Sequence, residues 1–225
     1  MSQPTPSTPR RRQSARRSPG RPGTDSPDLR PHLIEAALAC FVRDGIAATS
    51  LRSIASEAGV TPALLNYYFG SKLALRDAVF EERLMPAVHA LRAGIVDAGD
   101  DPQALAHGFV RGVYGLIEAY PWFPALWVRE VLCEGGALRE LLLSRIGPEV
   151  PQMLAKRFAM AQQRGQLNPS LDPRLLVVSM IGLTLFPAAG APIWRQIFQA
   201  DLGIDALTNH ALALLGHGME PRHED

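Results

Sequence analysis

The sequence predicts an all-α protein, in which a small three-helix domain is followed by a larger helical bundle. Apolar residues recur every three or four positions through most of the chain, which is the period of an amphipathic helix. No alternation of apolar and polar residues continues long enough to indicate a strand. At 225 residues and 47% apolar composition, the chain can bury a sizeable core. We expect an arm over residues 1–29, a first domain over 30–78, the bundle over 79–218 and a flexible end over 219–225.

The first predicted helix ends at Gly45, and a second helix begins soon afterwards. Ser50 suits an N-cap, because its hydroxyl can accept a free backbone N–H of the first turn. Gly59 ends that second helix in a left-handed conformation, which glycine adopts at the lowest cost. The apolar face of the first helix consists of Leu33, Ile34, Ala37, Leu38 and Phe41, and that of the second of Leu51, Ile54, Ala55 and Ala58.

A third helix follows directly after this turn. Thr61 is placed to cap it, and Pro62 occupies its first position, where a missing N–H costs nothing. Ala55 is small where the two helices would cross, while Val60 and Leu65 supply apolar contacts that fix the crossing angle. The arrangement predicts a helix-turn-helix, whose second helix enters the major groove of DNA. An ordinary helical corner is the alternative interpretation.

The outward face of this helix carries side chains suited to DNA. Asn66 can pair with adenine, and Thr, Ala or Leu side chains can touch a thymine methyl group. Lys72, at the start of the next helix, can donate to a phosphate. The predicted DNA-contact residues are Ser50, Thr61, Pro62, Ala63, Leu64, Asn66, Tyr67, Tyr68 and Lys72, with Ser50, Tyr68 and Lys72 on phosphates.

The stretch from about Leu33 to Arg83 resembles the DNA-binding domain of TetR-type transcriptional regulators. The matching pieces are Asp44-Gly45, Thr49-Ser50-Leu51, Ile54-Ala55, Ala58-Gly59-Val60, Tyr67-Tyr68-Phe69 and Ser71-Lys72. Asn66 departs from the pattern, because many members carry an aromatic residue there. The resemblance implies a homodimeric regulator, commonly a repressor, whose larger domain binds a small molecule and thereby weakens DNA binding. The two-fold symmetry of such a dimer predicts a palindromic operator in double-stranded DNA.

Charge is distributed unevenly along the chain. Residues 1–30 contain seven arginines and two aspartates, a balance of +5. This Ser- and Pro-rich stretch cannot bury enough apolar surface to fold, so we expect a disordered basic arm. The arm either contacts DNA phosphates or a narrow minor groove, or it only keeps the protein in solution. The lack of an apolar signal segment and the presence of only two cysteines favour the cytoplasm.

A long helix is predicted from Lys72 towards Val96, and Pro86 should kink or break it. Later helical patterns are separated by Gly and Pro residues, as helix boundaries commonly are. Further helices are expected over residues 103–120, over 138–163 as two helices, from Asp172 to about 187, over 193–199 and over 204–215.

Aromatic residues concentrate in residues 109–127, and further large apolar side chains lie on later helices. Apolar and aromatic walls with a few polar groups describe a small-molecule pocket, although an ordinary helical core has the same composition. Candidate polar partners are His107, Arg111 and Glu130, for which an exposed face or a structural ion pair is the alternative. The predicted pocket residues are Phe109, Tyr114, Trp122, Phe123, Trp127, Met153 and Met180.

Residues 175–194 contain no charged side chain. Their length would permit a membrane span, but the Pro and Gly residues near their end interrupt a helix. A buried helix at a homodimer interface explains the all-round apolarity better, so we expect no membrane partner. With the last helix it could form a four-helix seam between subunits, built from Leu176, Met180, Leu183, Leu207, Ala211 and Leu215.

Catalytic and metal-binding signatures are missing from the sequence. The six histidines show no ligand spacing with cysteine or acid, and no nucleophile triad, phosphate loop or nucleotide fingerprint occurs. We therefore expect no enzymatic activity, cofactor or metal, and an unknown small-molecule effector instead. Two other interpretations stay open: a DNA-binding regulator without a ligand, and a membrane-associated or enzymatic helical protein.

Overall fold

The computed structural model describes residues 29–221, apart from the side chains of residues 94, 96 and 97. Every regular element within those residues is helical, which confirms the predicted fold class. The predicted basic arm, save its last residue, and the last four residues lie outside the described part of the chain. The N-terminal unit consists of α1 (Leu29–Asp44), α2 (Leu51–Glu57), α3 (Pro62–Phe69) and α4 (Lys72–Val79).

A bundle of eight further helices follows the N-terminal unit among the described residues. Two π-helical turns interrupt the regular helices, one before the bundle and one within it. In chain order the elements are a π-turn (Phe80–Leu84), α5 (Met85–Asp97), α6 (Pro102–Ala119), α7 (Phe123–Trp127), a π-turn (Val128–Leu132), α8 (Arg139–Arg145), α9 (Glu149–Gln163), α10 (Pro173–Ala189), α11 (Ala191–Phe198) and α12 (Ile204–Met219).

The predicted helix caps are present at the helix-turn-helix. Ser50 and Ser53 form a reciprocal capping box, in which each hydroxyl accepts the other residue's backbone N–H at 3.0 Å. Thr61 caps α3 by accepting the N–H of Leu64 at 3.3 Å. Gly59 has a φ of +65°, the left-handed conformation expected after α2. These local signals determine where α2 and α3 begin and end.

The N-terminal unit has a hydrophobic core of its own. Leu33 and Phe41 of α1 pack in it with Ile54 of α2 and Leu65 of α3, all of them almost fully buried. The same core continues into the segment after α6, through three buried residues. We call residues 123–146, which comprise α7, the second π-turn, the following loop and α8, the junction segment; its members in this core are Leu126, Val131 and Leu138.

The predicted kink at Pro86 takes the form of a π-helical turn directly before it. Pro86 has no N–H to donate to the carbonyl of Glu82, and its ring crowds that carbonyl. Arg83 compensates by donating from Nη1 to the Glu82 oxygen at 3.0 Å. The wider turn thus carries the chain from α4 into α5 without a complete break.

The bundle packs around α6, which contacts α5, α9, α10 and α12. Its core includes Tyr114, Phe158 and Met180, which are nearly or fully buried. Burial raises the pKa of Tyr114 to about 12, and its hydroxyl donates to the carbonyl of Leu183 at 3.0 Å. The expected division of residues 138–163 into two helices is also present, as α8 and α9.

The predicted interface residues require a correction. Leu176 and Met180 of α10, and Ala211 and Leu215 of α12, are 0–5% exposed and belong to the core of their own bundle. They cannot also present their side chains to a second subunit. Because α10 is apolar on all sides, its sequence did not reveal which face turns inward. Leu183 and Leu207 are half-buried against the same core.

No described helix is by itself long and apolar enough to cross a membrane. The consecutive helices α10 and α11 meet that requirement only together, and a bend of 69° separates them.

Candidate DNA-binding surface and effector cavity

Seven of the nine predicted DNA-contact residues lie on α3 or at its cap. Leu65 and Phe69 are buried in the core of the N-terminal unit, which fixes the rotation of α3. The other side chains face outward, and Tyr67 is 83% exposed. We call this the recognition surface; Thr61, Pro62, Ala63, Asn66, Tyr67 and Tyr68 are exposed in it, and Leu64 is half-buried.

Both remaining predicted residues make contacts within the N-terminal unit. Lys72 donates from Nζ to the carbonyl of Ala47 at 2.9 Å, in the loop between α1 and α2. An ammonium group has three donors, so two stay available for phosphate oxygens. The Ser50 hydroxyl is engaged in the capping box with Ser53. Lys72 therefore holds the loop between α1 and α2, and Ser50 holds the start of α2.

Sequence reasoning did not nominate Arg52, an exposed cation on α2 two residues after Ser50. Its position in the helix-turn-helix and its charge were both readable from the sequence. Arg43, by contrast, already has partners within the protein: it donates hydrogen bonds to the carboxylates of Asp44 and Glu57, and these bonds raise the pKa of its guanidinium. Arg52 thus joins Lys72 as a cationic candidate for the DNA backbone.

Glu130 was nominated as a polar pocket group, but it lies at the contact between α1 and the junction segment. Its carboxylate is buried, with the residue 4% exposed. Oε1 accepts the backbone N–H of Ile46 at 2.9 Å, and Oε2 accepts that of Ala137 at 3.1 Å. One side chain therefore fastens the loop after α1 to the loop before α8.

Two arginines complete this contact. Arg129 donates from Nη1 to the carbonyls of Val42 and Arg43 at the end of α1, at 3.0 and 3.3 Å. Arg76 of α4 donates to the carbonyl of Ala137 at 3.3 Å. The junction segment is thereby hydrogen-bonded to the first and the last helix of the N-terminal unit.

A partly open cavity of about 150 Å³ lies between the bundle helices and the junction segment. Three of the seven predicted pocket residues, Phe109, Phe123 and Trp127, line it. The other four, Tyr114, Trp122, Met153 and Met180, pack elsewhere in or against the bundle core. The remaining lining residues are Val88, Leu91, Arg92, Val113, Leu116, Leu142, Ile146, Gly147, Val150, Pro151, Ile181, Thr184 and Leu185.

Polar groups at the cavity are few. The Thr184 hydroxyl already donates within α10, to the carbonyl of Met180 at 2.9 Å. Arg92 is 54% exposed and pairs with Glu149 at 3.4 Å, so its charge faces the solvent side. The indole Nε1–H of Trp127 is buried and has no hydrogen-bond partner among the described residues. His107 and Arg111 do not line this cavity.

The outer faces of α10, α11 and α12 carry exposed apolar side chains. These residues do not pack in the subunit's own core, in contrast to the interface residues predicted from the sequence. Those at least 49% exposed are Leu175, Val178, Phe186, Ile193, Ile197, Phe198 and Leu214, which we call the outer apolar face. Among the described residues, no cluster of histidine, cysteine or acidic side chains could hold a metal ion.

A helix-turn-helix with an exposed recognition helix, joined to a helical bundle with a partly open cavity, is the architecture of a transcriptional regulator. Family models agree. Residues 33–79 match the bacterial regulatory proteins of the tetR family, and residues 102–217 match the tetracyclin repressor-like C-terminal domain. The chain belongs to the TetR family of transcriptional regulators.

Similar proteins are regulators as well. The nicotine-responsive repressor HdnoR of Paenarthrobacter nicotinovorans is 39% identical over 80 residues, which cover 36% of this chain but only 41% of that relative. RutR of Escherichia coli K12 is 28% identical over 197 residues, covering 84% and 90% of the two chains. The solved structure of the ketosteroid regulator KstR2 of Mycobacterium tuberculosis shares the fold, with a TM-score of 0.66 at 20% identity over 90% of this chain and 100% of that one.

Proposed function

We propose that this protein is a homodimeric repressor that binds a palindromic operator and releases it when a small hydrophobic effector occupies the cavity. The observation that carries the proposal is the double role of the junction segment. Its residues Trp127, Leu142 and Ile146 line the cavity and also pack against the core of the N-terminal unit. An effector in the cavity would therefore touch side chains that support the helix-turn-helix.

The recognition surface supports the DNA-binding half of the proposal. Asn66 is exposed on α3 and can pair with adenine in the major groove. Lys72 and Arg52 flank the surface and would meet phosphates. A regulator of this family has to reach chromosomal DNA, so we place the protein in the cytoplasm.

The outer apolar face supports the homodimer. A monomer rarely exposes this many large apolar side chains on consecutive helices, and a second copy would cover them. Replacing Ile197 of α11 with Glu should place a charge in the interface and favour monomers. Sedimentation velocity measures the outcome, with Leu132→Glu in the junction segment as the control. An Ile197→Glu protein that remains dimeric would exclude this face.

Selection of bound fragments from a random DNA library, at a stated salt concentration, tests operator recognition. We expect a palindromic site with half-sites about 34–36 Å apart or at a related spacing. Binding that is sensitive to salt but blind to sequence would contradict the repressor function.

Two substitutions separate base contacts from phosphate contacts. Lys72→Ala should weaken binding to all sequences and reduce the salt slope by about one unit. Asn66→Ala should cost about 1–3 kcal/mol on the selected operator and little on random DNA. Equal losses on both DNAs for Asn66→Ala would remove it from the base contacts.

The effector half is tested separately from the DNA half. A panel of small hydrophobic compounds is added to the protein–operator complex, and release is followed by fluorescence anisotropy. We expect at least one compound both to raise the thermal stability of the free protein and to release the operator. Palindrome binding without a response to any compound would favour a regulator whose bundle only dimerises or recruits a protein.

A further inference from the structure

We propose that the effector is an amphipathic anion, whose apolar part enters the buried end of the cavity and whose carboxylate pairs with Arg92 at the open side. This inference rests on the proposed function, because it names the chemical class that the cavity would take. Three features carry it: the side on which the cavity opens, the apolar wall at its buried end, and the exposed ion pair between Arg92 and Glu149.

The cavity opens between α5 and the start of α9. Arg92 of α5 and Pro151 of α9 line it and are exposed, while the neighbouring lining residues Val88, Gly147 and Val150 are half-buried. Solvent therefore reaches the cavity on this side, which we call the mouth. A ligand that occupies the cavity keeps one end near water there.

The opposite wall of the cavity is apolar and buried. It is formed by α6, α7 and α10, whose lining residues Phe109, Val113, Leu116, Phe123 and Leu185 are at most 8% exposed. A charged group at this end would lose its hydration without a partner, so it has to lie at the mouth. Apolar cavities near 150 Å³ take molecules of the size of benzene, so the buried part of the ligand is about one ring or a branched chain of similar volume.

The charge that a ligand meets at the mouth is the guanidinium of Arg92. This side chain lines the cavity and pairs with Glu149 at 3.4 Å, whereas Glu149 is 69% exposed and lies outside the cavity lining. A guanidinium can hold a carboxylate through two parallel N–H donors. Exposed ion pairs contribute little to stability, so a ligand carboxylate can replace that of Glu149 at low cost. The ligand gains in addition from burial of its apolar part, which Glu149 does not.

The test uses four probes, titrated into the full-length protein by calorimetry. Phenylpropionate is the anion, phenylpropionamide has nearly the same shape without charge, phenylpropylamine is a cation, and acetate is the carboxylate without the apolar part. Each probe is measured with the wild type, with Arg92→Gln and with Glu149→Gln. Arg195→Gln on α11 is the matched control, because Arg195 is 53% exposed, pairs with Asp201 and lies outside the cavity lining.

We expect phenylpropionate to lose roughly fivefold in affinity on Arg92→Gln and to gain about twofold on Glu149→Gln, which removes the competing carboxylate. Phenylpropionamide should change less than about twofold in both variants, and Arg195→Gln should leave every affinity unchanged. In the wild type, phenylpropionate should bind more tightly than the other three probes.

Each part of the proposal has its own contrary result. Tighter binding of the amide or the amine than of phenylpropionate would overturn the anionic class, and equally tight binding of acetate would overturn the apolar part. Equal losses on Arg92→Gln and Arg195→Gln would overturn the contact with Arg92. An unchanged affinity in Glu149→Gln would overturn the exchange of carboxylates.

Operator release by the same probes distinguishes the two levels of the proposal. Probes that release DNA but violate the expected order refute the ligand chemistry and leave the repressor function standing. Probes that follow the order but never release DNA refute the effector response and leave the cavity chemistry standing. Failure of every probe to bind refutes this inference, while operator selection still tests DNA recognition.

Discussion

Replacing Glu130 with Gln tests whether one buried carboxylate fastens the helix-turn-helix to the bundle. Both of its oxygens accept backbone N–H groups, from Ile46 at 2.9 Å and from Ala137 at 3.1 Å. Gln has one acceptor oxygen and one NH2 group, so one of these N–H donors faces another donor. A hydrogen bond to a charged group contributes about 1.5–3 kcal/mol, and the surviving bond becomes neutral and weaker.

The expected loss of unfolding free energy is about 2–3 kcal/mol, because burying a neutral amide recovers part of the cost of burying a charge. For a chain of this size, each kcal/mol lowers the melting temperature by roughly 2–4 °C, so Glu130→Gln should melt about 4–12 °C below the wild type. Thermal unfolding followed by circular dichroism at fixed protein concentration measures the difference.

Glu134→Gln is the matched control for this substitution. Glu134 lies four residues later in the same segment and is exposed, so its substitution should change stability by less than about 0.5 kcal/mol. If Glu130→Gln melts together with Glu134→Gln, the carboxylate does not hold the contact, and the reasoning from its two hydrogen bonds is refuted.

Two further predictions concern the bundle and the junction segment. The pKa of Tyr114 is raised to about 12 against an ordinary value of 10, so its stabilising contribution is complete below pH 10 and is lost as the pH rises towards 12. Urea unfolding should therefore show that the unfolding free energy falls less between pH 9 and 12 for Tyr114→Phe than for the wild type. Replacing the exposed Tyr67 with Phe is the control. If the unfolding free energies of Tyr114→Phe and the wild type fall in parallel with pH, this prediction is contradicted. Gly136→Ala should destabilise by about 1–3 kcal/mol, because its Cβ would lie 2.4 Å from the carbonyl oxygen of Glu130. Gly115→Ala, on open helix surface, should be neutral or stabilising by up to about 1 kcal/mol, and equal melting of the two variants would exclude the clash.

The helix-turn-helix was predictable from sequence because its signals are local. The caps Ser50 and Thr61, the stop at Gly59 and the proline at the first position of α3 act within a few residues of each other. The buried positions on α3 follow from the same spacing. Helical periodicity predicted the bundle over residues 79–218, and the family resemblance added its role in binding an effector.

The cavity and the interface were less predictable because they depend on rotation and on distant partners. The α10 helix is apolar on all sides, so its sequence could not show that Met180 turns inward and Val178 outward. Glu130 accepts a hydrogen bond from a residue 84 positions away in the sequence, and the spacing of apolar residues gives no information about such a distant contact. Of the aromatic residues between 109 and 127, composition could not distinguish those at the cavity from those in the core.

The helices α4 and α5 join the N-terminal unit to the cavity, and the junction segment offers a second connection between them. Three of its residues line the cavity and also pack against the core of the N-terminal unit: Trp127, Leu142 and Ile146. Contact alone does not establish coupling, since an effector changes DNA affinity only by its differential affinity for the two states of the protein.

The required evidence is a thermodynamic cycle on the hydrogen-bonded contact at Glu130. The factor by which a cavity ligand weakens operator binding is measured in the wild type and in Glu130→Gln, at a temperature where both are folded. Allosteric factors are typically about 5–150-fold, and this factor should shrink in the variant if the signal passes through the junction segment. An unchanged factor in a destabilised but folded variant would mean that Glu130 only holds the fold, and that the signal passes along α5 and the π-turn before it.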